Sequence, residues 1–270
     1  MSHVGQRTVR YRGAEFTVNE GPGTTAFFVL GVRKSGSSLL NNLVKALAEK
    51  NGLNFVDVAG TLFKHGVAVS DWQTDASLAD VLAPGNVYGG FRNCPTSLEG
   101  APLFREGRKV LLVRDPRDAL VSEYFSNAYS HSVPAGGESR EGLLKLRERA
   151  LESEINHYVM EMSRALKRTL QEYLELAGDR NCRVFRYEDV IFDKKTLIGE
   201  ICSFFGWTVS DHLRELILGW ADVRPSEERP TEFVRRVTPG DHREKLRPDV
   251  IARLTGLFSE EMTRFGYARA

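Results

Sequence analysis

Ala26-Phe27-Phe28-Val29-Leu30-Gly31-Val32-Arg33-Lys34-Ser35-Gly36-Ser37-Ser38 is an apolar run that breaks into a short basic loop of glycine and serine. A helical pattern follows, with Leu40, Leu43, Val44 and Leu47 on one face and Asn51-Gly52 at its end. Strand, glycine loop and helix in this order form the layout that holds phosphate on backbone N–H groups at a helix N-terminus. The layout recurs at Val110–Val113, followed by Arg114-Asp115-Pro116-Arg117-Asp118-Ala119-Leu120-Val121-Ser122, where basic residues again stand at a helix start. Two such loops imply a ligand with two separated anionic groups, and basic loops after apolar strands imply an open parallel α/β sheet with ligand at the strand carboxyl ends.

The first loop is close to a Walker A sequence. Gly31 and Gly36 have the required spacing and Ser38 stands in the final Ser/Thr place, but Ser37 occupies the position of the nucleotide-triphosphatase lysine. The lysine, Lys34, lies inside the loop, so it reaches a different oxygen from a lysine that serves β- and γ-phosphates beside Mg²⁺. This fits a 5′-phosphate with an attached leaving group and little need for a metal. A Gly/Ser turn without a ligand is the plain alternative, weakened by the second basic segment.

Arg33–Ser38 resembles the Lys-Ser-Gly-Thr-Thr 5′-phosphosulfate loop of sulfotransferases that use 3′-phosphoadenosine 5′-phosphosulfate (PAPS). Arg114–Ser122 is similar to the same family's R-x-P-x-D-x-x-x-S element for the 3′-phosphate. Arg235-Arg236-Val237-Thr238-Pro239-Gly240-Asp241-His242-Arg243 resembles its late R-K-G-x-x-G-D-W-K loop. The three occur in family order, and the resemblance spans roughly residues 24–266. It implies an α/β fold, a single domain over 1–270 with a central parallel sheet flanked by helices, residues 1–23 forming an N-terminal extension or hairpin. It also implies transfer of a sulfuryl group from PAPS to a hydroxyl or amine of a small-molecule or glycan acceptor, with no metal.

By this resemblance Lys34 stabilises charge growing on the departing phosphate oxygen, and Ser35, Gly36, Ser37 and Ser38 donate to the 5′-phosphate. Arg33 stands where the family usually has proline. Arg114 binds the 3′-phosphate, for which a guanidinium fork is suited, with Ser122 adding a hydroxyl; the alternative for Arg114 is pairing with Asp115 or Asp118. Arg117 and Asp118 brace the loop. Arg235 and Arg236 close over the 3′-phosphate, and Val237 replaces a family glycine. In the adenine pocket Leu39 replaces a family tryptophan; Tyr187 matches a tyrosine near the base, and Trp220 is a stacking candidate that is as readily a core residue.

Many cytosolic members carry a histidine base in a Thr-His-x-Pro context. The corresponding stretch here is Arg92-Asn93-Cys94-Pro95, and the Asn93 amide cannot accept a proton. His65 is the first candidate to replace it, with Asp57, Asp71 and His131 as others; an acidic acceptor such as a phenol also reacts with little help. Two other classes stay open at this stage: a P-loop kinase or nucleotide triphosphatase, and a non-catalytic nucleotide-binding protein of the same fold.

The 270 residues include 41% hydrophobic and 27% charged residues, and the net charge is +1. This suits one enzyme domain and gives no global basic field for nucleic acid. No apolar run approaches the ~20 residues of a membrane span, Met1–Val9 lacks a signal-peptide core, and Cys94, Cys182 and Cys202 form no C-x-x-C pair, as expected of reduced thiols in the cytoplasm. The oligomeric state is left open.

Along the chain, Thr8–Val18 is expected to be a hairpin turning at Arg12-Gly13, and Glu20–Thr25 a linker. Strands are expected at Ala26–Val32, Leu53–Val58, Lys109–Val113 and Arg183–Tyr187. Helices are expected at Ser37–Lys50, after Asp115, over Leu143–Leu176, Thr196–Phe205 and His212–Trp220, and at Pro248–Phe265. Thr61–Gly100 reads as irregular. The acceptor pocket is expected from Asp57–Gly100, His131–Gly137 and Ala221–Thr231.

Overall fold

The computed structural model describes residues 5–20, 25–232 and 234–267. Strands β1 (Gly5–Tyr11) and β2 (Ala14–Glu20) form the expected hairpin, closed by Arg12 and Gly13 at φ 47° and 78°. Two consecutive left-handed residues make the turn whose twist matches that of the strands. Most of the linker that follows, at 21–24, lies outside the described residues.

Five strands build a parallel sheet: β3 (Phe27–Gly31), β4 (Asn54–Asp57), β5 (Asn86–Phe91), β6 (Arg108–Val113) and β7 (Cys182–Arg186), in the spatial order β4-β5-β3-β6-β7. Apolar residues of β3 and β6 are buried on both faces, as a parallel sheet between two helix layers requires. One layer packs the helices Ser37–Lys50, Lys194–Phe205 and Asp211–Ala221 against Phe27, Val29, Val110 and Leu112. The other packs Ile155–Ala177 and Pro248–Leu257 against Phe28, Leu30 and Leu111, and the hairpin's Tyr11, Phe16 and Val18 join that core.

The strand β5 is not expected from sequence, since it lies in the Thr61–Gly100 stretch whose Gly, Pro, Asp and Asn residues read as irregular. Its glycines are required by crowding. A Cβ on Gly89 would meet Asn41 Oδ1 and the Phe55 ring, and one on Gly90 (φ 85°) would meet the Asp57 carboxylate. Here the β3–β5 register slips, Phe28 facing Tyr88 and Leu30 facing Phe91, which is a bulge. Asn41 Oδ1 accepts from Gly90 N at 2.8 Å, tying the bulge to the helix Ser37–Lys50.

Two expected long helices are divided. The stretch expected over Leu143–Leu176 forms Gly137–Glu152 and Ile155–Ala177, because Ser153 is extended and Glu154 caps the second helix through Asn156 N at 3.1 Å. The terminal stretch forms Pro248–Leu257 and Ser259–Arg264, separated at Phe258. Within 61–100, besides β5, short helices cover Val58–Lys64 and Val69–Gln73. Among the described residues no helix is long and apolar enough to cross a membrane.

Candidate active site

The loop between β3 and its helix is shaped by its own backbone. Val32 N donates to Leu112 O at 3.0 Å, and Ser35 returns both its amide and its hydroxyl to Val32 O at 3.2 and 2.6 Å. Lys34 and Gly36 are left-handed, with φ 63° and 88°. A Cβ on Gly36 would lie 3.1 Å from the Tyr187 ring, so glycine allows that ring to close on the loop. The helix Ser37–Lys50 has no side-chain cap and no acid in its first turn. Its first N–H groups and positive dipole end therefore remain available to an anion.

Arg114, at the end of β6, is turned onto this loop. Its Nη1 donates to Lys34 O at 3.2 Å, its guanidinium stacks on the Tyr187 ring at 4.4 Å, and its Nε is buried with no hydrogen-bond partner. No ion pair joins it to Asp115 or Asp118. Asp115 is committed to Arg117 at 2.7 Å and caps the helix Pro116–Phe125. Arg117 thus braces the loop, as the sequence suggested. Asp118 braces more widely, accepting from Gly240 N at 2.6 Å, His242 N at 2.9 Å and His242 Nδ1 at 2.6 Å. Burial works to raise its pKa. The His242 hydrogen bond, the Arg114 charge and the two amides outweigh burial and hold the carboxyl at about 2. Ser122 lies one turn beyond Asp118 and is partly buried.

The late segment reaches the same place. Arg235 packs its guanidinium 4.2 Å over Phe125 and is bonded to Glu228 and Asp241. Arg236 has both arms occupied, by Asp241 at 3.2 Å and Glu244 at 2.7 Å. Tyr187 links all three segments, with its ring against Gly36 and Arg114 and its hydroxyl donating to Val237 O at 2.9 Å. Trp220 lies near the end of the helix Asp211–Ala221 and is 44% exposed.

The electrostatic focus is Lys34. Burial lowers its pKa to about 8, assisted by the charges of Arg114, Arg92 and Arg235 and opposed by Glu123. Four cations gathered this way disfavour one another until an anion arrives. Arg33, in the family's proline place, pairs with buried Glu123 at 3.1 Å.

Sequence reasoning missed Arg92, whose Nη2 donates to Ser38 Oγ at 3.1 Å. The signal was an arginine directly after an apolar strand, but that strand was itself unrecognised. Glu123, the counter-charge to Lys34, was also missed. Of the four candidate bases, Asp57 and His65 cap the two ends of the helix Val58–Lys64, and His131 stacks on its Phe63. His65 is exposed at the end of the helix Val58–Lys64, with Nδ1 3.0 Å from Thr61 O. Asp57 caps that helix through Gly60 N at 3.1 Å, and Asp71 accepts from Ala68 N at 3.3 Å. Burial, then the charges of Lys34, Arg92 and Arg147, lower the pKa of His131.

Residues 24–266 match the model of the sulfotransferase domain family. The chain belongs to that family. Among solved structures, the sulfotransferase resembles mouse sulfotransferase SULT7A1 complexed with PAP, at 13% identity and a TM-score of 0.62 over 94% of each chain. It also resembles retinol dehydratase in complex with androsterone and the inactive cofactor PAP, at 14% identity and a TM-score of 0.57 over 96% of this chain and 90% of that one. A second retinol dehydratase structure, with retinol and PAP, gives a TM-score of 0.52 at 14% identity, over 96% and 91%. No curated protein matches the sequence. These likenesses establish the fold, and the family match excludes the kinase reading. Among the described residues no group of three or more His, Cys, Asp or Glu side chains is placed to hold a metal ion.

Proposed function

We propose that this sulfotransferase moves a sulfuryl group from PAPS to a hydroxyl or amine of a small-molecule or carbohydrate acceptor. The observation that carries the nucleotide assignment is Arg114, a 4% exposed guanidinium aimed at the phosphate loop with an unpartnered Nε. A buried donor without an acceptor is costly, and an anionic oxygen is the partner it fits. The related structures named above hold PAP, and two of them hold retinol or androsterone, which supports a nucleotide and a small acceptor here.

In this reading the backbone N–H groups of 35–38 and the Ser37 and Ser38 hydroxyls hold the 5′-phosphate, with Arg92 beside Ser38. Arg114, Ser122 and Arg235 hold the 3′-phosphate. Arg236 joins them by exchanging a carboxylate for phosphate, and Tyr187 and Trp220 flank the adenine. Bound PAPS supplies an activated sulfuryl group on a phosphate leaving group. Lys34 provides a localised positive charge where negative charge grows on that phosphate oxygen, so it acts most strongly in the transition state. The three free thiols are consistent with a reducing, cytoplasmic setting.

Calorimetry with PAP and AMP tests the nucleotide assignment. PAP binds far better than AMP to the wild type, and Arg114→Ala weakens PAP by tenfold or more (~1.5–3 kcal/mol for a charge-assisted contact) while leaving AMP nearly unchanged. Equal affinity for the two nucleotides refutes it. Radiolabelled PAPS with a panel of phenols, alcohols, amines and sugars then reads transfer itself, and binding without transfer identifies a non-catalytic protein.

A further inference from the structure

Transfer to a hydroxyl releases a proton, and the Asn93 amide cannot take it. The described titratable groups differ in what their polar atoms already do. The His242 ring is committed to Asp118 and the His65 ring to Thr61 O. His157 and His212 are exposed on the helices Ile155–Ala177 and Asp211–Ala221. Asp57 and Asp71 accept from backbone amides, and Glu123 is paired with Arg33. His131 is partly buried, and among the described residues neither ring nitrogen has a hydrogen-bond partner.

We propose that His131 accepts the acceptor's proton during sulfuryl transfer, an inference that rests on the sulfotransferase reading above. Its position is built in. The helix Pro116–Phe125, which carries Ser122 and Glu123, runs into a π-helical turn at Ser126–Ser130, and His131 is the next residue. The turn ends the helix, and His131 leaves it in extended conformation at φ −71° and ψ 124°. His131 N donates to Ser126 O at 2.8 Å, and Arg147 grips the segment through His131 O at 2.5 Å and Asn127 O at 3.2 Å. The ring stacks on Phe63, with centroids 5.8 Å apart and planes at 21°. Its backbone and ring plane are therefore fixed while both nitrogens remain available.

Burial, then Lys34, Arg92 and Arg147, lower its pKa to about 4, so the ring is neutral at physiological pH. The Phe63 stack joins the segment that follows β6 to the helix that follows β4, and in the sheet those two strands lie on either side of β3 and its loop. Glu123, on the helix that leads to His131, pairs with Arg33 of that loop at 3.1 Å. His131 takes up the proton as the acceptor O–H bond breaks and that oxygen bonds to sulfur. Lys34 faces the phosphate oxygen that keeps the electron pair of the broken S–O bond. Bound anion offsets Lys34 and Arg92 and raises the basicity of the ring when a base is needed.

Two measurements on the full chain test this. The first follows the His131 ring resonances by NMR through a pH titration, with and without saturating PAP. The expected result is a midpoint raised by about one unit or more on PAP binding; an unmoved midpoint overturns the placement. The second compares wild type, His131→Gln and the surface control His157→Gln across phenols of graded acidity. His131→Gln should slow weakly acidic phenols by ~10²–10⁴-fold, slow 4-nitrophenol far less, and leave KM for PAPS unchanged. A uniform loss across the series, or none, overturns the proposal. Wild-type protein that binds no PAP refutes the underlying sulfotransferase reading, whereas PAP binding with an unmoved His131 midpoint refutes only the base.

Discussion

At the scale of single residues, Lys34 carries an electrostatic penalty that its ligand relieves. Its folded pKa of about 8 lies below the ordinary lysine value of 10.5, so the protonated form is disfavoured by folding. The penalty is fully present below pH 8 and fades as pH rises from there towards 10.5. A bound phosphate restores the ordinary pKa, so PAP binding near pH 8 should draw about half a proton per site from solvent onto Lys34. Calorimetry in buffers of different ionisation enthalpy measures that uptake, and Lys34→Ala should abolish it. The same variant should lower kcat by roughly 10²-fold or more with a much smaller loss of PAP affinity, and Lys34→Arg should not restore the rate, because a planar fork replaces a point charge. Equal losses in binding and turnover would make Lys34 an affinity residue only.

At the scale of elements, Asp118 joins the start of the helix Pro116–Phe125 to the late segment through three donors. Its folded pKa of about 2 lies below the ordinary aspartate value of 3.8. The stability it contributes is present above pH 3.8 and lost as pH falls through 2. Asp118→Asn should cost about 2 kcal/mol at pH 7 and narrow that deficit between pH 4 and pH 2, read by denaturant unfolding at several pH values. A deficit constant over that range would show that the carboxylate charge is not what joins the two segments. Sequence could reveal the two ends of this link, since both segments have recognisable spacing, but not the link itself, which joins positions 122 and 124 residues apart. The same distinction runs through the molecule. β3, β6 and the loop after β3 were legible because apolar runs and a glycine loop are local signals. β5 was not, because its paired glycines answer to Asn41, Phe55 and Asp57, which lie far away in the chain. Arg92 was hidden with it. The break at Ser153-Glu154 was missed because the apolar pattern continues across it. For the base, sequence supplied a set containing His131 without a reason to prefer it, since its preference depends on which polar atoms other histidines have already committed.

At the scale of the whole molecule, the family match begins at residue 24, yet the hairpin before it is sewn into the core. Tyr11, Phe16 and Val18 are buried there. Asn86, on β5, accepts from Asn19 N at 2.9 Å and donates to Asn19 O at 3.1 Å, and Asn54 Nδ2, on β4, donates to Thr17 O at 2.8 Å. Burial of a large apolar side chain is worth ~1.5–3 kcal/mol, and a buried amide stripped of its partners adds to the cost. A chain trimmed to 24–266 should therefore unfold at a temperature lower by several degrees, ~4 °C or more, in thermal melts; an unchanged Tm would show the hairpin to be an ornament. The strand that Asn86 opens ends one residue before Arg92, which touches Ser38. The hairpin is thus moored to the far end of the same rod whose tip meets the phosphate loop. Kinship in sequence and dependence in folding need not share a frontier, and anyone who shortens this protein along the first will be cutting across the second.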